Sequence, residues 1–349
     1  MRRVLLTGCL ALAAWGASVP DGELARWVAS QGGRVETQPG GGITGVHLGF
    51  AWTTDADMPR LAGLAGLKNL DLSLSLISDL GMERLKDLPG VTDLNLYAVE
   101  HITDTAIAYI RGWKHLERLN LRGTDITDTS LQYVSGLTTL KSLDVAFTQV
   151  TNNGMEYLAG LRNLEEVALG GNKITGAGLH VLKLLPRLAR LDLNGNQKRN
   201  SGIWAVSLTD FDLDTIGGLG QLEALDLGGT KITDLGVGKL ASLGKLRALD
   251  LSRTQVSGKG LASLAGMRGL EQLSLWQARG VGDSAAASLA AMASLATLDL
   301  SDTGVTDRTL DRLGPLRNLR HLYVGGTRVT EAGVAEFRRA HPQCVVSGR

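Results

Sequence analysis

Residues 119–137 read Leu119-Asn120-Leu121-Arg122-Gly123-Thr124-Asp125-Ile126-Thr127-Asp128-Thr129-Ser130-Leu131-Gln132-Tyr133-Val134-Ser135-Gly136-Leu137. Two patterns share this stretch. Leu119-Asn120-Leu121 alternates apolar and polar, the period of a short strand with two inward side chains and one outward between them. Leu131, Val134 and Leu137 then follow at three-residue intervals and give a short helix or 3₁₀ turn one apolar face. Thr127-Asp128 is a helix start, because a side-chain oxygen there can satisfy a free N–H of the first turn.

The pattern recurs along the chain at a usual step of about 24 residues. The strand half returns as Leu70-Asp71-Leu72, Leu94-Asn95-Leu96, Leu143-Asp144-Val145, Val167-Ala168-Leu169 and Leu191-Asp192-Leu193. It continues as Leu225-Asp226-Leu227, Leu249-Asp250-Leu251, Leu273-Ser274-Leu275, Leu298-Asp299-Leu300 and Leu322-Tyr323-Val324, with Val46-His47-Leu48 as a weaker first copy. One unit cannot bury its leucines alone, whereas about twelve stacked units bury a continuous core.

This repeat resembles that of the leucine-rich-repeat superfamily across nearly the whole chain. The resemblance implies an α/β solenoid, a horseshoe with a concave parallel β-sheet and short helices or 3₁₀ turns on the convex side. The Ile-Thr-Asp-x-Gly-Leu half looks like the bacterial version and is also similar to the repeats of F-box leucine-rich proteins. Thr or Asn stands where those have cysteine (Thr124, Thr148, Asn172, Asn196, Thr230, Thr254, Thr303, Thr327), and the stretch before Val46 leaves little room for an F-box. The organisation expected is a signal peptide at 1–18 and an N-terminal cap at 19–42. About twelve repeats follow at 43–340, with an insertion near 197–207, and a C-terminal capping strand at 341–349. Within the cap, 21–30 reads as a helix, and 34–37 and 43–48 as a hairpin.

Composition agrees. The chain has 349 residues, 44% hydrophobic but only 4% aromatic. Identical slots take leucine, roughly one residue in six, and few positions need a ring. A net charge of +1 lacks the basic excess of a nucleic-acid footprint. Two cysteines, Cys9 and Cys344, make neither a disulfide framework nor a cysteine zinc site; Cys344 reads as a small buried residue.

Met1-Arg2-Arg3 and the apolar run at 4–14 read as an export signal, too short to span a bilayer. Leu6-Thr7-Gly8-Cys9 also resembles a lipoprotein cleavage box, in which Cys9 would be acylated, but it sits very early. The expected location is therefore the periplasm, the cell surface or the exterior.

Repeats are structural by default, so function is sought where they differ. The step from Leu191 to Leu225 is about ten residues too long. The extra loop carries Lys198, Arg199 and Trp204, residue types favoured as interface anchors. The outward strand column holds Asp71, Asp144, Asp192, Asp226, Asp250 and Asp299. Asp is a poor strand former. A hydrogen-bonded ladder that discourages sheet aggregation is the preferred account, and an acidic face for a basic partner is the other. Aromatic exceptions on the same face, Phe50, Trp52, Tyr97, Phe147, Trp276 and Tyr323, with Arg122 among them, are candidate ligand-binding residues.

No two of the six histidines share a helix at metal-ligand spacing, and the Gly-Gly pairs are repeat turns, not phosphate loops. No catalytic constellation, cofactor or metal is expected. The reading is a monomeric, non-catalytic module for a protein or peptide. An intracellular substrate-recognition subunit of F-box type and a structural envelope protein are the alternatives.

Overall fold

The computed structural model describes residues 21–195 and 206–348. Among them, fourteen strands form one open sheet in strict chain order. They are β1 (Arg34–Thr37), β2 (Ile43–His47), β3 (Asn69–Asp71), β4 (Asp93–Asn95), β5 (Arg118–Asn120), β6 (Ser142–Asp144) and β7 (Glu166–Ala168). Then come β8 (Arg190–Asp192), β9 (Ala224–Asp226), β10 (Ala248–Asp250), β11 (Gln272–Ser274), β12 (Thr297–Asp299), β13 (His321–Tyr323) and β14 (Val345–Ser347). All neighbours pair in parallel except the hairpin β1–β2. The fold is a leucine-rich-repeat solenoid.

Each strand lies one residue earlier than Leu-x-Leu suggests. The ladder joins Asn69-Leu70-Asp71 to Asp93-Leu94-Asn95, and Leu72 already leaves it. The outward side chain itself ends the strand. Asp71 Oδ1 accepts the N–H of Ser73, two residues on, at 3.0 Å. Asn95, Asn120, Asp144, Asp192, Asp226, Asp250 and Asp299 do the same in their repeats. A short polar side chain that bonds its own backbone two residues on makes a turn. Each strand therefore presents two outward side chains, not one.

The second half of each repeat begins as expected. The Thr127 hydroxyl accepts the N–H of Thr129 and starts the helix Asp128–Val134. Ser78, Thr103, Thr151, Thr233, Ser257 and Thr306 cap their helices in the same way. The Asp of each pair has a further part. Asp104 accepts from the Thr127 N–H at 2.9 Å and the Thr127 hydroxyl at 2.6 Å, one repeat on. Asp55 holds Ser78 in this way, Asp79 holds Thr103, Asp128 holds Thr151, Asp234 holds Ser257 and Asp283 holds Thr306. The buried threonines at the cysteine position are also satisfied: Thr124, Thr230 and Thr254 each donate to the carbonyl three residues back.

Leucines from both halves fill one continuous core, with Trp113 buried where other repeats have leucine. The helix Asp21–Ser30 closes the N-terminal end through buried Leu24 and Val28. At the other end Cys344 is buried and β14 adds the last strand. Residues 1–18 with Cys9, and Asn196, Lys198, Arg199 and Trp204, lie outside the described residues. The sheet nevertheless continues across the long step, because Leu191 pairs directly with Leu225.

Burial opposes the charge on Asp104, but hydrogen bonds from Ser130 and Thr127 outweigh it and hold its pKa below the usual value. Asp104→Ala strands these donors and lowers stability by about 3 kcal/mol. The exposed Asp311→Ala changes it by no more than about 0.5 kcal/mol. Thermal melting followed by circular dichroism checks both. The contribution of Asp104 is present above the unfolded carboxylate pKa and is lost as pH falls through its depressed folded value.

Candidate functional site

The concave face is built from columns, one residue per repeat. The first outward column holds Asn69, Asp93, Arg118, Ser142, Glu166, Arg190, Ala224, Ala248, Gln272, Thr297 and His321. The second is the column of Asp71, Asp144, Asp192, Asp226, Asp250 and Asp299, with Tyr323 on β13. The first column escaped the sequence reading, because Leu-x-Leu leaves only one outward position inside it.

Among the described residues, only Tyr323 of the aromatic candidates lies in the sheet. Tyr97 and Trp276 stand two residues after the last strand residue of their repeats, in the turn. Phe50 and Phe147 occupy the next position, where the backbone is left-handed at φ 65° and 56°. Trp52 stands two residues further along. The chain turns off the sheet as soon as the strand is capped, so these rings belong to the rim that the strand ends form.

Arg122 reaches inward from that rim. Its Nε donates to Asp144 at 2.8 Å and its Nη2 to Asp192 at 2.9 Å. It passes the small Ala168 on β7, and its guanidinium lies 5.2 Å from the centre of the Phe147 ring. Burial works against the Arg122 charge, but Asp144 and Asp192 outweigh it and raise its pKa. Phe147 in turn covers Gly171, where an added Cβ would fall 2.4 Å from the ring. Trp276 is similarly engaged. Arg253 lies 4.8 Å from its ring centre, and its indole N–H donates to Asp302 at 3.0 Å.

Two grooves, each of about 500 Å³, run along the sheet. One lies over β2–β6 and the other over β6–β13, and Ser142 and Asp144 line both. Charges in the first are largely paired across strands, as Arg118 with Asp93. The second contains Arg190, paired with Glu166, and then Asp226, Asp250 and Asp299 over a floor of Ala224, Ala248, Gln272, Ser274 and Thr297. No lysine or arginine among the described residues lines it beyond β8. Burial, and then the charges of Asp250 and Asp192, push the Asp226 pKa up to about 6.

Comparison with known proteins agrees with this architecture. Two family models, both described as leucine rich repeat, match residues 138–197 and residues 114–135, 222–241 and 245–265. No curated protein gives a significant sequence match. Among solved structures, the chain is similar to an internalin of Listeria monocytogenes, with a TM-score of 0.61 and 19% identity over 94% of this chain and 95% of that one. It is also similar to a leucine-rich-repeat protein of Leptospira interrogans, with a TM-score of 0.52 and 18% identity over 82% of this chain and 80% of that one. At these identities the likeness is one of fold.

Asp226→Asn keeps an acceptor for the Gly228 N–H and removes the repulsion from Asp192 and Asp250. It should stabilise the fold by about 1 kcal/mol at neutral pH, after allowance for solvent screening. For a raised carboxylate the sign is opposite to that of Asp104. The penalty is present above about 6, shrinks as pH falls through that value, and is gone below the ordinary 3.8. Melting curves of both proteins across this range should converge at low pH. The repeats of this chain are leucine-rich repeats, stacked into one solenoid.

Proposed function

We propose that this solenoid is a non-catalytic binding module that holds a basic peptide or protein segment in the concave groove over β8–β13. The observation that carries this reading is the crowding of Asp192, Asp226 and Asp250 on adjacent strands, at a cost that their turn-capping role does not require. Asn95 and Asn120 make the same turn without a charge. A lysine or arginine side chain laid across these strands would relieve the repulsion and gain charge-assisted hydrogen bonds. Tyr323, 38% exposed at the end of the groove, offers an aromatic face for an apolar or cationic neighbour. Tyr97, 40% exposed, plays the corresponding part beside the first groove. Arg122, Phe147 and Trp276 hold the shape of the rim, because their polar atoms and faces are already taken.

Export follows from the basic start and apolar run at residues 1–18, which would be removed from the working protein. N-terminal mass analysis of the protein isolated from its native cells tests this. A chain still beginning at Met1 would sink it.

Binding is tested with a fluorescent peptide library graded from acidic to basic. The basic members should bind, weaken with added salt, and weaken again as pH falls from 7 to 5. Asp226→Asn with Asp250→Asn should reduce affinity at least tenfold and flatten the pH response. Equal binding of acidic and basic peptides would exclude this reading.

A further inference from the structure

The repeats serve as their own control, because the same position can be read in each. Two residues beyond the left-handed turn position, the later repeats carry Glu100, Asp125, Gln149, Lys173, Lys231 and Gln255. The first two carry Trp52 and Leu76. Trp52 is 83% exposed and Leu76 is 51% exposed. The turn position itself is glycine at Gly123, Gly171, Gly229 and Gly326 and non-glycine at positive φ in other repeats, with Phe50 and Leu74 in the first two. A non-glycine residue in that conformation costs about 1–2 kcal/mol. Phe50 is 79% exposed and returns no core burial for that cost.

These side chains adjoin. The Phe50 N–H donates to Ser73 and that of Leu74 to Tyr97, which joins the three turns. The Leu76 N–H donates to Thr53, which brings the next stretch beside Trp52. Asp55 holds Ser78 and Asp57 holds Thr54, and the exposed Glu100, one repeat after Leu76, borders the patch. The result is an uncharged apolar patch on the rim of the N-terminal repeats, outside both grooves. From the usual size of such side chains it presents roughly 500 Å², within the range of the largest patch that a monomer exposes. That is most of the about 800 Å² that each partner gives a standard interface.

We propose that this patch is an isologous contact between two copies of the chain. Three observations favour a second copy as occupant. The patch has well over half of the about 800 Å² that one side of a standard dimer interface buries. It lacks charges that would call for a complementary partner. The net charge of only +1 raises no long-range repulsion between copies. A twofold axis through the patch sets Phe50, Trp52, Leu74 and Leu76 against their own counterparts. It leaves the concave grooves of both copies open, so the contact is independent of ligand binding there.

Sedimentation equilibrium of the full chain tests the proposal. The mass should move from one copy of 36.9 kDa toward two as concentration rises through the micromolar range. Trp52→Glu with Leu76→Glu should raise the dimer dissociation constant by about thirtyfold or more, with an unchanged circular dichroism spectrum. Phe50→Gly separates association from folding. It relieves the left-handed turn, so it should raise the melting temperature of the monomer while weakening the dimer. A chain that stays at one copy throughout, or a dimer indifferent to these substitutions, overturns the proposal.

Discussion

The solenoid depends on a carboxylate that reaches from most repeats to the next. Burial supplies most of the energy. The repeat around Leu119 buries Leu119, Leu121, Ile126, Leu131, Val134, Leu137 and Leu140, worth about 10–20 kcal/mol in area removed from water. Apolar burial has no direction, however, and leucines of one repeat would pack almost as well against a neighbour shifted along the chain. The bond from Asp104 to both the N–H and the hydroxyl of Thr127 has direction. It forms only when the helix starts of adjacent repeats stand side by side, so it sets the register in which the core then packs. Thr127 serves both purposes, since its hydroxyl donates to Asp104 and accepts from Thr129. Where Gly258 replaces the aspartate, Gly282 replaces the partner hydroxyl, so no hydroxyl is left without its carboxylate.

The sheet side uses the same economy of residue types with a different result. Asp and Asn close eight of the strands by accepting an N–H two residues on, while Ala168, Ser274 and Tyr323 end β7, β11 and β13 at the same place. Either Asp or Asn can accept that N–H. Where Asp is chosen on successive strands, the turn is no better made and the charges are driven together. Charge of one sign on adjacent strands is therefore information beyond what the fold demands, and Asp192, Asp226 and Asp250 place it over β8–β10.

Much of this was legible in the sequence because repetition separates the common from the particular. The helix at 21–30, the hairpin, the capping threonines and the last strand all follow from hydrophobic period and turn chemistry, and the structure has them. The strand register was not legible. Leu-x-Leu and x-Leu-x bury the same leucines, so periodicity cannot choose between them, and only the bond from Asp71 to the Ser73 N–H does. The second partner of the Thr-Asp pair was also hidden, because it lies 23 residues away in the bond from Asp104 to Thr127. The aromatic residues were assigned to the sheet on the assumption that strand continues past the second leucine. Tyr323 lies there, but Trp276 and Phe147 lie beyond the capped end.

The left-handed turn position shows how such departures can be weighed. Glycine is the residue with no steric cost at positive φ, and several repeats use it. Each other residue must be held there by something else. Arg253, Gln277 and Asp302 stand at this position in three successive repeats and are joined side chain to side chain, Arg253 to Gln277 at 2.8 Å and Gln277 to Asp302 at 3.4 Å. Phe147 is held between Arg122 and Gly171. In these repeats the strain is offset by contacts within the chain, and the side chains stiffen the rim. Phe50 occupies the same position with its ring in water and Trp52 exposed beside it. A left-handed turn that is strained and also leaves its aromatic side chain exposed gains nothing inside one copy of the protein, and the proposed contact between copies is what would use that ring.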